Sequence, residues 1–354
     1  MARESSSSVS IPEFHRMLVL ARWALGIFNE ASFETISAML KASNLEGLND
    51  EDGHTRFYHA VVNTLFYLGD DAKCTKDELA AYDLRIVGYW KQITEKRNQD
   101  ENTTYQLKYY QWLTLLVTEL YLDWYFNRRA ELLAELNQQI AIYNEGKATA
   151  LKLPNAELKD MNKISFWEAT GAGKTLLMNV NILQYAFYAQ NEKPDHVILL
   201  TPDEGLTKQH VKELKLSGFE ASPISEDLAL FQQGGGTIGV IDAGKIISDE
   251  SKRKKGEKSF MAEEFSGRNL VLVDEGHNGS SSVQGERRKV REQLCDGGFS
   301  FEYSATFGQA VAKRSGKDGA DLRAHYARNI LFDYSYKYFI SIPFAHCVRN
   351  GMNV

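Results

Sequence analysis

The spacing of apolar residues along the chain changes near residue 155. Before this point apolar residues recur every three or four positions, which is the period of one face of a helix. The pattern covers residues 11–41, 57–68 and 105–143. We therefore predict an all-α N-terminal domain over residues 1–155, with the leucines and aromatic side chains in its core.

Beyond residue 155 short apolar runs alternate with helical segments. Runs of strand length occur at residues 164–167, 197–200, 237–241, 270–273 and 299–303. Helix-like segments at 175–190 and 206–216 separate some of them. Apolar runs that alternate with helices are typical of βαβ units and a parallel sheet. We predict an α/β domain over residues 156–339.

Composition narrows the class of protein. The chain has 354 residues, 43% hydrophobic and 25% charged, which suits a globular protein with two domains. Its net charge of −6 means that any nucleic-acid contact must use local basic patches. Three widely spaced cysteines favour reduced thiols in a cytoplasm over a disulfide framework. The most apolar helical segment contains Glu119 and Asp123 and is too short to span a membrane.

The first motif with chemical meaning is Glu-Ala-Thr-Gly-Ala-Gly-Lys-Thr, residues 168–175. Its second half is typical of a phosphate-binding loop, in which backbone N–H groups and a helix N-terminus converge on phosphates. A strand is predicted before it and a helix after it, as that mechanism requires. Glu168 stands where the usual pattern has its first glycine, so a chance match remains the alternative.

A pair of carboxylates, Asp274 and Glu275, follows the apolar run 270–273. At the carboxyl edge of a parallel sheet, beside a phosphate loop, Asp274 could hold Mg²⁺ through water. Glu275 could then orient and deprotonate the attacking water. The alternative is a strand that ends in a polar turn, with an aspartate as helix N-cap.

Four segments together resemble motifs I, Ia, II and III of superfamily 2 helicases. They are residues 168–175, 201–209 (Thr-Pro-Asp-Glu-Gly-Leu-Thr-Lys-Gln), 273–277 (Val-Asp-Glu-Gly-His) and 304–306 (Ser-Ala-Thr). Within this superfamily the chain is most similar to DEAD/DEAH-box proteins related to the Res subunits of type III restriction enzymes. The resemblance covers residues 160–339 and implies a RecA-like P-loop NTPase lobe with ATP and Mg²⁺ as cofactors.

The resemblance also implies a role for each matching residue. The residues that it implies for ATP binding are Thr170, Gly171, Ala172, Gly173, Lys174, Thr175 and His277. Those implied for catalysis are Lys174, Asp274 and Glu275, with Thr175 and Asp274 holding Mg²⁺. Thr201, Ser304 and Thr306 are implied to contact the nucleic acid or to couple it to the nucleotide, as is His277.

The implied function is the ATP-binding lobe of a DNA-dependent ATPase, helicase or translocase of a bacterial restriction or phage-defence system. Its expected partners are double-stranded DNA and a methyltransferase or specificity subunit, or a chain that supplies a second RecA-like lobe. The alternative from a different class is a non-catalytic nucleotide-binding or assembly module that works only with a partner chain.

The end of the sequence departs from the family. Residues 328–339 resemble the family's linker toward the second lobe, whereas the tail 340–354 does not. Too few residues follow Thr306 for a second lobe of about 150 residues. These features predict a truncation or a changed reading frame near residue 340, and poor ATP hydrolysis by the isolated chain.

Other charged residues carry weaker expectations. The basic clusters 252–255 and 287–291 could contact phosphates or could be solvated loops. His210 and His325 have no partners at ligand spacing and are predicted to be surface residues.

Overall fold

A computed structural model describes most of the chain. The described residues are 9–28, 33–41, 45–47, 51–67, 69, 72–226, 228–232, 236–253, 258–275 and 281–335. The strands are β1 (Lys163–Glu168), β2 (His196–Thr201), β3 (Ala221–Pro223), β4 (Ile238–Asp242), β5 (Ile246–Ile247), β6 (Phe260–Met261), β7 (Asn269–Asp274), β8 (Phe299–Ser304) and β9 (Ile330–Tyr334).

Within the described residues, seven strands form one sheet in the order β3-β4-β2-β7-β8-β1-β9, and each neighbouring pair is parallel. β5 and β6 form a separate two-stranded sheet. Strands of the large sheet are buried on both faces, which explains the continuous apolar run of β7 in the sequence. The predicted parallel α/β architecture is confirmed.

Helices cover the sheet and make up most of the first 144 residues. They are α1 (Ile11–Met17), α2 (Val19–Leu25), α3 (Phe33–Leu40), α4 (Arg56–Thr64), α5 (Lys76–Asp100), α6 (Tyr109–Asn127), α7 (Arg129–Asn144), α8 (Lys174–Tyr188), α9 (Glu204–Leu216), α10 (Leu228–Gln232), α11 (Ser281–Leu294), α12 (Phe307–Ala312) and α13 (Gly316–Asn329). None in the described part of the chain is long and apolar enough to cross a membrane.

The sequence patterns missed some elements. α5 begins with a capping box between Thr75 and Glu78 and buries a stripe at helical spacing, so its signal was present. β3 has only three residues, too few for a periodic pattern. Residues 330–334, which resembled part of an interlobe linker, instead form β9 and pair with β1, while residues 336–354 lie outside the described part.

α6 brings the N-terminal helices against the sheet. Almost every side chain of this helix is buried, as expected for a helix that is apolar on all sides. Tyr110, near its N-terminus, stacks on Tyr334 of β9 with ring centroids 4.2 Å apart. The helices and the sheet thus share one hydrophobic cluster. The domain boundary near residue 155 stays a prediction.

Candidate active site

The phosphate loop connects the end of β1 to the start of α8. Gly171 and Gly173 adopt φ angles of 85° and 86°, a left-handed conformation that glycine adopts without strain. A Cβ atom at Gly173 would lie 2.5 Å from the Gln111 side-chain nitrogen. Both glycines are therefore required by the backbone path. The first turn of α8 then presents its N–H groups at the sheet edge, where an anion would be stabilised.

Lys174, the first residue of α8, contacts the second carboxylate of the predicted pair. Its Nζ donates to Glu275 Oε1 at 2.6 Å. Both side chains are largely buried, with 14% and 21% of their surface exposed. Motifs I and II, 101 residues apart in the sequence, thus meet at one edge of the sheet.

Motif III lies between them because β8 separates β7 from β1 in the sheet. Ser304 Oγ donates to Glu275 Oε2 at 3.0 Å, and the Ala305 N–H donates to Oε1 at 3.3 Å. The Glu275 N–H donates to the Tyr303 carbonyl at 2.9 Å, and its backbone adopts φ of 49°. The left-handed turn and these bonds fix the carboxylate toward the phosphate loop.

Asp274 has a partner that the sequence did not indicate. The His210 Nε2 lies 3.0 Å from Asp274 Oδ2, and only 5% of the His210 surface is exposed. The prediction of a surface residue was wrong for His210. α9 turns Thr207, His210 and Leu214, at spacings of three and four, toward the sheet.

Glu168 is the last residue of β1 and lies under the loop rather than opening it. Its side chain is fully buried, and Oε1 lies 3.0 Å from the Thr114 hydroxyl of α6. Burial raises the pKa of Glu168 to about 8, against the smaller opposing effects of Thr114 and Lys174. Its Oε2 has no hydrogen-bond partner among the described residues.

The hydroxyl geometry agrees with a neutral Glu168. Thr114 Oγ1 also lies 2.8 Å from the Tyr110 carbonyl, which can only accept a hydrogen bond. A hydroxyl carries one proton. If that proton goes to the carbonyl, a protonated Glu168 completes the chain by donating to Thr114 Oγ1. The residue that broke the glycine pattern is thus a buried part of the loop's floor, and its surroundings favour the uncharged form.

Gln111 supports the loop from the N-terminus of α6. Its Nε2 donates to the Ala172 carbonyl at 3.0 Å, and its Oε1 accepts from the Lys108 N–H at 3.0 Å. The helical pattern predicted core packing for the leucines and aromatic residues of this helix and no role at the loop. The available signal was a set of polar residues in a largely apolar helix, of which Gln111 is one.

The remaining predicted residues differ in accessibility. The Thr201 side chain is buried, and its Oγ1 bonds with Thr207 Oγ1 at 2.6 Å, so its hydroxyl orders the turn before α9 and does not face solvent. Thr306 precedes α12, and its N–H donates to Ser304 Oγ at 3.0 Å. Thr170 is exposed in the loop. His277 lies outside the described residues.

The basic segment 287–291 contains two arginines that pair with glutamates, while Arg288 and Lys289 stay exposed. Arg291 donates to Glu302 at 2.7 Å, and Arg288 pairs with Glu292 at 3.0 Å. His325 lies near these residues and is half-buried rather than a surface residue, with Asn329 within 3.1 Å of its Nδ1. Burial, followed by neighbouring cations, lowers the pKa of His325 well below its usual value. These contacts weaken the interpretation of the segment as a DNA contact.

Comparison with known proteins shows the family to which the chain belongs. A family model described as "Type III restriction enzyme, res subunit" matches residues 105–309. The chain belongs to this Res subunit family. The match includes both motif carboxylates, the phosphate loop and α6 with Gln111. The seven-stranded sheet with a phosphate loop after β1 is accordingly the RecA-like ATP-binding lobe of a superfamily 2 helicase.

Two other comparisons add little. The UvsW helicase from Bacteriophage T4 aligns over 86% of this chain and 94% of its own, at 11% identity and a TM-score of 0.29. A likeness this weak supports no conclusion about function. No curated protein matches the sequence.

The residues present fit a magnesium nucleotide. No group of three His, Cys, Asp or Glu side chains in the described ranges could bind a metal alone. Mg²⁺ bound with a nucleotide does not need one, because phosphates and waters supply most of its ligands. Thr175, in the first turn of α8, and Asp274, at the end of β7, are oxygen ligands of the required kind.

Proposed function

We propose that this Res-family chain is the ATP-binding lobe of a DNA-dependent ATPase that acts as a helicase or translocase. The observation that carries the proposal is the contact of Lys174 with Glu275, with Ser304 on the second Glu275 oxygen. Three helicase-like motifs supply the three groups, and the contact stands at the N-terminus of α8, where a phosphate would bind.

The Lys174–Glu275 pair suggests how the site responds to ATP. The γ-phosphate would compete with Glu275 for the lysine ammonium, since both are anionic oxygen acceptors. Once Lys174 binds the γ-phosphate instead of Glu275, Glu275 Oε1 would be able to accept a proton from the attacking water. Ser304 and the Ala305 N–H would keep the carboxylate in place during this exchange. Glu275 would thus be held by lysine before ATP binds and be available as a base afterwards.

Mg²⁺, held by Thr175, Asp274 and the phosphates, would neutralise charge on the β- and γ-oxygens. The backbone of residues 170–173 would surround the phosphates, and Lys174 would bind the γ-phosphate. In this family His277 completes motif II. The described residues form one lobe, and the transition-state arginines of such motors are supplied by an opposing lobe.

Double-stranded DNA is the nucleic acid that we propose. The turn after β2 is the candidate contact, through backbone N–H groups of the exposed residues that follow Thr201. Ser304 and Thr306 would transmit the nucleotide state, because both bond within the segment that holds Glu275. A cytoplasmic restriction or phage-defence system, with a methyltransferase or specificity subunit, is the proposed setting.

The test measures linkage rather than turnover. Duplex DNA affinity is measured with and without a non-hydrolysable Mg-ATP analogue, using the 354-residue chain. A motor lobe should show at least a fivefold change in DNA affinity, within the usual range of coupling between sites. Nucleotide binding with unchanged DNA affinity would favour a non-catalytic assembly module. No binding of the analogue would overturn both functions.

A further inference from the structure

His210 lies on α9, outside the segments that form the phosphate loop and the carboxylate pair, yet it contacts a candidate metal ligand. Its imidazole is 5% exposed and its Nε2 is 3.0 Å from Asp274 Oδ2. A carboxylate accepts hydrogen bonds, so the ring nitrogen is the donor. Because the ring donates its hydrogen bond to this oxygen, the polar side chain can be buried away from solvent.

The contact with His210 gives the two carboxylate oxygens of Asp274 different surroundings. Oδ2 is held by His210, whereas no hydrogen bond to Oδ1 occurs within the part of the chain that the structure describes. A small cavity of about 10 Å³, roughly the size of one water, is lined by Asp274 together with Glu275 and Thr201. One carboxylate oxygen is thus fixed and the other remains available to an ion or its water.

The helix that carries His210 is itself firmly attached. Arg97 of α5 pairs with Glu213 at 2.6 Å, and Asn179 of α8 donates to Ser217 Oγ at 2.8 Å, just past the helix end. α9 begins directly after Thr201 and Asp203, at the proposed DNA contact. A fixed helix can hold an imidazole, and through it a carboxylate, in one orientation.

We propose that His210 is a positioning residue for the Mg²⁺ of the nucleotide site, which rests on the proposed function. It holds Asp274 Oδ2 so that Oδ1 points to the ion, and it ties the metal ligand to the helix that follows motif Ia. Partners of this kind, one bond removed from the metal, typically change metal affinity by about 10- to 100-fold.

The test measures metal affinity without catalysis. Mn²⁺ replaces Mg²⁺ and is titrated into the 354-residue chain saturated with ADP, with free Mn²⁺ followed by electron paramagnetic resonance. His210→Ala should weaken Mn²⁺ binding by about 10- to 100-fold. Its ADP affinity in EDTA should stay within about twofold of the wild-type value, because His210 touches no part of the phosphate loop.

Two further variants separate positioning from general structure. His210→Gln keeps an amide donor near the Nε2 position and should recover most of the Mn²⁺ affinity. Lys208→Ala, at an exposed position on the same helix, should bind Mn²⁺ as the wild type does. Wild-type Mn²⁺ affinity in His210→Ala would overturn the inference, and so would an equal loss of metal-free ADP affinity. If the wild type binds no ADP, the proposed function itself fails.

Discussion

Two glutamates lie on opposite sides of the Lys174 segment, and their surroundings give them different properties. Glu168 lies under the phosphate loop, fully buried against Thr114, with its pKa raised to about 8. Glu275 lies across the loop, partly exposed and paired with Lys174 and Ser304. The same type of side chain thus occurs in two settings: Glu168 is fully desolvated, with Lys174 only weakly opposing the rise of its pKa, whereas Glu275 contacts Lys174 directly.

The largest effect that we predict concerns Glu168, the residue under the phosphate loop. Between its usual pKa near 4.5 and its folded pKa of about 8, Glu168 keeps a proton in the native state that the unfolded chain has released. The free energy of unfolding therefore falls as the pH rises through this window, by on the order of 4–5 kcal/mol in total. Glu168→Gln should remove this slope, since its amide cannot ionise.

Urea unfolding of wild type and Glu168→Gln from pH 4.5 to 9 measures the difference. Glu157→Gln is the control, because Glu157 is exposed and should leave the slope unchanged. Parallel pH curves for the wild type and Glu168→Gln would show that Glu168 is ionised in the folded protein. Burial would then not distinguish Glu168 from Glu275.

Lys174→Ala should give the next largest effect. The ammonium is the cation that the site offers to the phosphates, and losing a desolvated charge-assisted bond costs about 3 kcal/mol or more. Mg-ATP affinity should fall by at least about 100-fold, as measured by fluorescence titration. Lys193→Ala removes an exposed lysine and should change nothing. Similar affinities for the two variants would refute a phosphate role for Lys174.

Gln111→Ala tests whether the contact between α6 and the Ala172 carbonyl keeps the phosphate loop in its ATP-binding shape. The change leaves the Ala172 carbonyl and the Lys108 N–H without their partner, at a cost of about 1–2 kcal/mol. We expect Mg-ATP affinity to fall by about 5- to 30-fold. Gln106→Ala, at an exposed position just before α6, should retain wild-type affinity. An unaffected Gln111→Ala variant would mean that the loop holds its shape alone.

Strands and motifs could be predicted from the sequence, whereas the surroundings of the two glutamates could not. Strands β1, β2, β4, β7 and β8 were visible because a parallel sheet buried on both faces requires continuous apolar runs. The phosphate loop and the carboxylate pair were visible because glycines and carboxylates occur at fixed places after strands. Their meeting at one edge followed from the parallel topology.

The partners of individual side chains at the site could not be predicted. His210 and Asp274 are 64 residues apart, and neither neighbourhood contains a pattern that pairs them. Glu168 looked like a defect in a motif because only its tertiary surroundings, Thr114 on a helix 54 residues earlier, make a neutral acid acceptable there. β9 was missed because its five residues directly follow a helix and no further motif marks them.

The proposed mechanism requires Lys174 to exchange Glu275 for the phosphates of ATP. The most direct test is the Mg-ATP affinity of Glu275→Gln, measured beside ATP hydrolysis in the presence of a second lobe. Without the competing carboxylate charge, we expect ATP to bind as tightly as in the wild type or up to about tenfold tighter, since a hydrogen bond to a charged group contributes about 1.5 kcal/mol. Hydrolysis should be lost. Weaker ATP binding, comparable to that of Lys174→Ala, would show that Glu275 does not compete with ATP for Lys174.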